Sequence, residues 1–179
     1  MDTTTGNQQA IPTELAWLAG IWDGEGSFVI YKLIKRNSRN LITHITLSNT
    51  DSNLIEKVIS ILDKLKITGH IYTEGRRNPR LNHKDCYHLT ISGMEKQKKF
   101  IEMIIPYLVA KKSQASLMKR FIESRLKFQR VITERDNQGR IINGYKTEGN
   151  TEEEISFYEQ VKRLNKVGNA PETIRQNLT

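Results

Sequence analysis

The sequence predicts an α+β fold in which two antiparallel hairpins form one twisted, four-stranded sheet with helices packed on one of its faces. Three observations predict it. Apolar residues at helical spacing alternate with short β-branched and aromatic runs, in the order α-β-β-α-β-β-α through residue 105. Polar, basic stretches separate the two strands of each pair, which is typical of hairpins. Helices and hairpins in this order leave the second face of the sheet open.

The first half of the chain is predicted to hold one helix, one hairpin and a second helix. Pro12 and Thr13 are typical helix-start residues, and Gly24 and Gly26 are expected to end this helix. The second helix begins at Asn53 and carries apolar residues at helical spacing. The predicted elements are a helix over 13–22, strands over 27–35 and 41–48, and a turn over 36–40.

The second half is predicted to repeat the hairpin and helix and then to extend them. Pro106 ends the third helix, because proline cannot continue a helix. We expect a polar N-terminal arm over 1–12, a core over 13–130, and a helical and hairpin extension over 131–179 packed on the core. The predicted elements are strands over 69–74 and 84–92, helices over 95–105 and 113–129, strands over 131–134 and 141–145, a helix over 152–166 and a terminal turn at Pro171.

Composition limits the classes of protein that this chain can be. It has 179 residues, with 28 Lys and Arg against 20 Asp and Glu, and a formal net charge of +8. An excess of positive charge of this size favours a polyanionic partner such as nucleic acid. No apolar run approaches the ~18 residues of a transmembrane helix. The single cysteine, Cys86, excludes a disulfide framework and a cysteine-rich zinc site.

The first ten residues are polar and contain neither Lys nor Arg, unlike a signal peptide or a transit peptide. We therefore expect a protein that is not secreted and that has no membrane partner. Its expected location is the cytoplasm of an archaeon or bacterium, or an organelle in which it is synthesised.

Positive charge is concentrated in two stretches that fall within the hairpins. Residues 26–50 contain no acidic residue but four Lys or Arg, and residues 76–88 contain three arginines, one lysine and two histidines. In the predicted fold both stretches reach the hairpin tips of the open sheet. A two-stranded ribbon of this kind fits the major groove of DNA.

The first helix is apolar on nearly every side, which predicts burial on more than one side. One face consists of Leu15, Leu18, Ala19 and Trp22, which recur at helical spacing. We expect this face to pack on the core of the protein itself.

Small residues recur every four positions on a second face of this helix. Ala16, Gly20 and Gly24 form the face, flanked by Trp17 and Ile21. Because small residues four apart let two helix backbones approach closely, we expect a homodimer interface with a second copy of the chain. The alternative is a plain core helix with an accidental glycine, at a cost of about 1 kcal/mol in mid-helix.

Two carboxylates lie at the end of the same helix. Asp23 and Glu25 fall at its C-terminus, where free carbonyls and the helix dipole make the surroundings negative. Oxygen donors of this kind select Mg²⁺ or a similar hard cation. Two such helices crossing at a symmetry axis would bring two copies of Glu25 together. In the alternative interpretation, Asp23 caps a turn and Glu25 is solvated.

Residues 18–26, LAGIWDGEG, resemble the LAGLIDADG motif, and Ser27-Phe28 follow them, as is common after that motif. The predicted order α-β-β-α-β-β-α also resembles the core of the LAGLIDADG homing endonucleases, over residues 14–120. We find one copy of the motif in the chain. By resemblance, a single copy implies a homodimer that acts on a long, nearly palindromic DNA site.

The resemblance implies roles for four residues. Glu25 matches the family's metal-binding acid, with Glu where the motif's name has Asp, and Gly24 matches the preceding backbone carbonyl. Lys111 lies in a segment, 106–112, that is similar to the one holding the family's basic residue, and it would stabilise charge. Alternatively, Lys111 caps carbonyls left by the preceding helix. Asn49, at the end of the second strand, matches a polar residue that positions water.

The resemblance also implies a cofactor. Mg²⁺ is the expected metal, Mn²⁺ is expected to substitute for it, and Ca²⁺ is expected to support binding without cleavage.

Side chains alternate between the two faces of a strand, so counting from Glu25 selects the residues on the open face of the first hairpin. Leu33 and Ile42 fall on that face, which leaves open a register shifted by one residue. The expected DNA-binding residues are Ser27, Tyr31, Lys32, Lys35, Arg36, Asn37, Arg39, Asn40, His44, Thr46, Tyr72, Glu74, Arg76, Arg77, Arg80, His83, Lys84, His88 and Lys112.

The sequence therefore predicts an intron-encoded homing endonuclease. As a homodimer it would make a metal-dependent double-strand break in a long, pseudo-palindromic double-stranded DNA target. Two alternatives remain open on the same fold, a maturase that binds intron RNA and a non-catalytic DNA-binding protein. The intact acids, Asp23 and Glu25, argue mildly against both alternatives, because a purely structural motif has no use for converging carboxylates.

Overall fold

The computed structural model describes residues 12–35, 38–75, 84–127, 132–138, 141–144 and 151–167. Its architecture is the α+β fold that the sequence predicts, and the described part contains no helix long and apolar enough to cross a membrane. The elements are α1 (Pro12–Glu25), β1 (Gly26–Lys35), β2 (Ser38–Asn49), α2 (Ser52–Lys64), β3 (Gly69–Glu74), β4 (Cys86–Ile91), α3 (Met94–Ile104), α4 (Lys112–Lys127), β5 (Ile132–Arg135), β6 (Ile141–Gly144) and α5 (Glu152–Val167).

The four strands of the core form one antiparallel sheet in the order β1-β2-β4-β3. Each hairpin supplies two neighbouring strands, and the two hairpins join where β2 pairs with β4. In this central pair Ile45 lies opposite Ile91, and Ser48 lies opposite His88. The strands β5 and β6 form a separate, two-stranded sheet.

Two of the predicted boundaries are wrong in an informative way. Gly24 does not end α1, which runs on to Glu25, because Gly24 does not take the left-handed conformation of a glycine cap. The predicted turn over 36–40 is too long, since Lys35 pairs with Ser38 and residues 38–40 belong to β2. Other predicted ends of the helices and strands differ by one or two residues, and the turn predicted at Pro171 lies outside the described residues.

The register of β1 and β2 is the one that alternation predicts. Ser27 pairs with Thr46, and Leu33 pairs with Asn40, whereas Phe28, on the other face of the strand, is buried in the core. The one-residue shift is therefore wrong.

The other face of the sheet packs against the helices through apolar side chains. Leu18, Ala19 and Trp22 of α1 are fully buried, which confirms the core face predicted for this helix. The Trp22 ring lies edge-on to Phe100 of α3, with 4.6 Å between ring centroids. The strand residues of this core are Phe28, Ile30, Leu41, Ile45, Leu47, Leu89 and Ile91.

A buried amide fixes α3 to the two central strands. Gln97 is 2% exposed, and its amide nitrogen donates to the carbonyl of Ile91 at 2.8 Å and to that of Thr43 at 3.3 Å. The hydroxyl of Thr43 donates in turn to the amide oxygen of Gln97 at 2.5 Å. Because every polar atom of this amide is paired, its burial costs little.

The last helix, α5, packs on α4 and β1. Its Phe157 and Val161 are buried, and Glu154 is 2% exposed. The Glu154 carboxylate lies 2.6 Å from Nε of Arg125 in α4 and accepts a hydrogen bond from the backbone of Thr151 at 3.1 Å. The Thr151 hydroxyl accepts from the Glu154 backbone, so these two residues form a capping box.

We expect Glu154→Ala to lower the free energy of unfolding by about 3 kcal/mol, because it leaves the guanidinium of Arg125 largely buried without its carboxylate. Chemical denaturation followed by circular dichroism measures this change. Glu152→Ala, at an exposed position of the same helix turn, is the control and should cost less than about 1 kcal/mol. Equal effects of the two substitutions would contradict the role of the ion pair.

Candidate functional site

The C-terminal end of α1 is tied to the loop that follows α3. The carboxylate of Asp23 accepts hydrogen bonds from the backbone N–H of Val109 at 2.7 Å and from that of Lys111 at 2.8 Å. Asp23 therefore fixes the loop to the helix. Of the two interpretations of this residue, the structure has the capping contacts, and a cation site that Asp23 shares with Glu25 stays a prediction.

The side chain of Lys111 returns to the same helix end. Its ammonium group donates to the carbonyl of Trp22 at 3.0 Å and to that of Gly26 at 2.6 Å. A cation at this position is favourable because the helix dipole and the last carbonyls make the C-terminus negative. Lys111 thus caps carbonyls, as the alternative interpretation proposed, but those of α1 and the α1–β1 junction rather than those of α3.

Burial has the largest effect on the pKa of Lys111. Desolvation lowers the pKa of Lys111 from its ordinary value, and the negative charges of Asp23 and Glu25 oppose that shift. The structure therefore brings Asp23, Glu25 and Lys111 together at one end of α1.

Glu25 is the last residue of α1 and is exposed. Within the described part of the chain its carboxylate forms no hydrogen bond or ion pair, and its interaction with Lys111 is electrostatic. Gly24, which the sequence suggested as a carbonyl ligand, is also exposed.

The donor set suits a hard cation but is incomplete in one chain. Among the described residues no three His, Cys, Asp or Glu side chains lie close enough to hold a metal ion. The carboxylate of Glu25 and the carbonyl of Gly24 are oxygen donors of the type that Mg²⁺ prefers. Further ligands would have to come from a second chain, from phosphate oxygens or from water.

Asn49 lies close in the fold to this helix end, because Gly26 pairs with Leu47, two residues before it. Its side-chain oxygen accepts a hydrogen bond from the backbone N–H of Asp51 at 2.8 Å. Asp51 is the N-cap of α2. Asn49 thus holds the β2–α2 turn, and its role toward water stays a prediction.

The small-residue face of α1 is open. Ala16, Gly20 and Gly24 are exposed, Trp17 is 38% exposed, and Ile21 is half-buried. A Cβ atom added at Gly20 or Gly24 would meet no atom within 4 Å. Packing inside the described part of the chain therefore gives no reason for glycine at position 20.

The open face of the sheet carries polar and aromatic side chains from both hairpins. Tyr31 lies edge-on to His44 across β1 and β2, with 5.8 Å between ring centroids. Tyr72 of β3 is 66% exposed and stacks on His88 of β4, with 6.0 Å between centroids. The other predicted DNA-binding residues on this face are Ser27, Asn40, Thr46 and Glu74.

His88 joins three strands on this face. Its Nδ1 lies 2.8 Å from the hydroxyl oxygen of Ser48 on β2, and its Nε2 lies 3.4 Å from the carboxylate of Glu74 on β3. The contact between Ser48 and His88 could not be predicted, because a single sequence carries no signal for the register of β2 against β4.

The structure separates Lys32 from the other predicted DNA-binding residues. Its strand neighbour Tyr31 lies on the open face, whereas Lys32 lies on the opposite face, with its ammonium 5.7 Å from the ring centroid of Tyr158 in α5. The packing of α5 against β1 gives Lys32 this neighbour and leaves it exposed, and its role in DNA binding stays a prediction.

The other predicted DNA-binding residues fall at the ends of elements or outside the description. Lys84 is exposed just before β4, and Lys112 is exposed at the start of α4. The backbones of Lys35 and Arg39 belong to β1 and β2, but their side chains are outside the described part. Those wholly outside the described residues are Arg36, Asn37, Arg76, Arg77, Arg80 and His83.

Gly26 is a further residue on which the site depends. A Cβ atom at this position would overlap the indole ring of Trp22 and lie 2.8 Å from its Cα. Only glycine therefore lets the chain turn from α1 into β1 against this buried ring. Our sequence analysis treated Gly26 only as a helix stop.

Comparisons with known sequences agree with this fold. A model of the LAGLIDADG-like domain family matches residues 12–104. The uncharacterized protein MJ0314 of Methanocaldococcus jannaschii is 37% identical over 60 residues, which are 34% of this chain and 21% of that protein. The matched residues thus span about a fifth of the length of this relative.

Three solved structures are similar in fold. The group I intron-encoded homing endonuclease I-CeuI, complexed with DNA, has a TM-score of 0.54 and 22% identity, over 67% of this chain and 58% of that one. The homing endonuclease I-CvuI, in complex with its target in the presence of Ca, has a TM-score of 0.51 and 19% identity, over 65% of this chain and 71% of that one. The LAGLIDADG homing endonuclease I-GzeII, in complex with a DNA target, has a TM-score of 0.54 and 15% identity, over 91% of this chain and 48% of that one.

We expect Gly26→Ala to destabilise the protein by about 2 kcal/mol, the usual cost of forcing an extra methyl group into a packed site. Thermal and chemical unfolding measure the change. Gly24→Ala is the matched control two residues earlier, where a Cβ meets no atom within 4 Å. It should not destabilise the folded monomer, because alanine is a better helix former than glycine. A Gly26→Ala protein of unchanged stability would show that the α1–β1 junction adapts.

Proposed function

The chain belongs to the LAGLIDADG-like domain family, and on that premise we propose that it is a homodimeric, divalent-metal-dependent DNA endonuclease that cuts both strands of a specific target. One observation carries the proposal. Glu25 is exposed at the end of the same helix whose small-residue face is open. Two such faces packed about a two-fold axis would bring the two Glu25 carboxylates toward each other.

The residues at this helix end suit hydrolysis of a phosphodiester. When bound, Mg²⁺ would act as a Lewis acid and lower the pKa of a coordinated water. Glu25 and the carbonyl of Gly24 would hold it. Lys111, which is half-buried and held by two backbone carbonyls, would place a positive charge beside the phosphate. Mn²⁺ would substitute for Mg²⁺, and Ca²⁺ would support DNA binding alone.

The open sheet face would bind the DNA. Its Tyr31, Asn40 and His44 are exposed, and alternate side chains of a two-stranded ribbon can reach base edges in the major groove. The net charge of +8 favours association with the phosphate backbone. I-CeuI and I-GzeII, which share the fold, are complexed with DNA in their structures, and this supports the proposal. An intron or a similar mobile element would encode the protein.

The two alternatives make a different prediction for Glu25. An intron RNA maturase or a non-catalytic DNA-binding protein would keep α1 for packing and would have no need of this carboxylate. The test is therefore a substitution that removes the charge and keeps the shape of the side chain.

We expect Glu25→Gln to reduce double-strand cleavage in Mg²⁺ by at least about 100-fold, because a neutral amide is a much weaker ligand for a hard cation. The substrate is a duplex of the intronless form of the gene that surrounds the coding sequence. Binding of the same duplex in Ca²⁺ should persist. Glu56→Gln, at an exposed position of α2, is the charge-matched control and should cleave like the original protein.

Two outcomes would contradict this proposal. Binding without any cleavage by the unaltered protein in Mg²⁺ would indicate a DNA-binding protein. Full cleavage by Glu25→Gln would show that another group holds the metal.

We expect Gly20→Val to weaken self-association at least about tenfold, because side chains larger than the small residues of this face keep two helix backbones apart. Sedimentation equilibrium measures the association. The folded monomer should persist, since a Cβ at this position meets no atom within 4 Å, and circular dichroism checks it. Thr13→Val, at an exposed position of the same helix, is the control, and equal association of all three proteins would exclude this dimer interface.

A further inference from the structure

Three side chains form a row of contacts across the open face of the sheet, one hydrogen bond and one ion pair. Ser48 on β2 and Glu74 on β3 flank His88 on β4, with 2.8 Å from the Ser48 hydroxyl oxygen to Nδ1 and 3.4 Å from the Glu74 carboxylate to Nε2. Tyr72 stacks on the same ring. The imidazole is thus contacted at both of its nitrogens and on one of its faces.

The chemistry of the three groups decides which of them donates a hydrogen bond and which accepts one. An ionised carboxylate can only accept hydrogen bonds, so the Glu74 carboxylate beside Nε2 favours the tautomer of His88 in which Nε2 carries the proton. In a neutral imidazole the other nitrogen then has a free lone pair. The single hydroxyl proton of Ser48 is therefore donated to Nδ1. Toward any further group, such as a DNA base, the Ser48 oxygen can then only accept a hydrogen bond.

A serine hydroxyl by itself does not distinguish base pairs well, since it can donate to one base and accept from another. Ser48 is half-buried and shares the open face with Thr46 and His44. Fixed as an acceptor, its oxygen pairs with an exocyclic amino group, which adenine and cytosine present in the major groove, and is repelled by the carbonyl oxygens of guanine and thymine.

We infer that Ser48 is a specificity-determining residue whose hydroxyl selects adenine or cytosine at one position of each half-site, and that His88 and Glu74 are the positioning residues that fix its polarity. This inference rests on the proposed function, because it requires that the open face binds DNA.

The first test needs no DNA. Long-range ¹H–¹⁵N correlation spectra of the full chain at about pH 8 report which imidazole nitrogen of His88 is protonated. We expect the Nε2–H tautomer alone, and a mixture of tautomers in Glu74→Ala. A ring protonated at Nδ1 in the unaltered protein would overturn the inference.

The second test measures base preference. The full chain selects duplexes from a randomised double-stranded DNA library in Ca²⁺ at about pH 8. We expect a preference of about tenfold for adenine or cytosine, the usual cost of one mismatched pair, at one position of each half-site. Ser48→Ala should abolish the preference at that position.

The control variant is Ser60→Ala, which removes a hydroxyl from an exposed position of α2, outside the sheet. It should leave the Ser48-dependent position intact. Glu74→Ala should relax the preference at that position.

The outcomes separate this inference from the proposed function. A specific consensus that does not change in Ser48→Ala would overturn the role of Ser48 and leave DNA recognition established. Failure of the unaltered protein to enrich any duplex would overturn the proposed function and, with it, base selection by Ser48.

Discussion

Both the fold and the candidate site depend on how the C-terminal end of α1 is held. This end carries two carboxylates where the helix dipole is already negative. The loop after α3 supplies the positive partners, two backbone N–H groups for Asp23 and the ammonium of Lys111 for the carbonyls of Trp22 and Gly26. Because these contacts complete the helix end, α1 extends to Glu25, and β1 leaves it in a fixed direction.

The parts of the fold that depend on local patterns could be predicted from the sequence. Alternation in β1 places Ser27 and Tyr31 on the open face, and the structure has that register. The bounds of β3, Gly69–Glu74, agree at both ends. Of the core face predicted for α1, Leu18, Ala19 and Trp22 are buried and Leu15 is partly buried. Each depends on a period of two or 3.6 residues, which a single sequence displays.

The parts that depend on contacts between distant segments could not be predicted. Asp23 accepts hydrogen bonds from backbone groups 86 and 88 residues further along the chain. A local sequence pattern cannot indicate a contact between segments so far apart. Lys32 belongs to a basic hairpin, but the local pattern does not show that α5 packs against β1 and provides Tyr158 as the neighbour of Lys32. The sequence therefore indicated which residues matter at the helix end, but not which of them Asp23 and Lys111 would bind.

The contacts that hold the end of α1 have a consequence for how such a protein can change. Asp23 binds main-chain N–H groups, and Lys111 binds main-chain carbonyls, so that these contacts do not depend on the side chains of the residues that provide the backbone groups. The polar residues of the open face project from separate strands and are not part of these contacts. Substitutions on the strands can therefore change what the open face binds, while the geometry of this helix end is inherited unchanged.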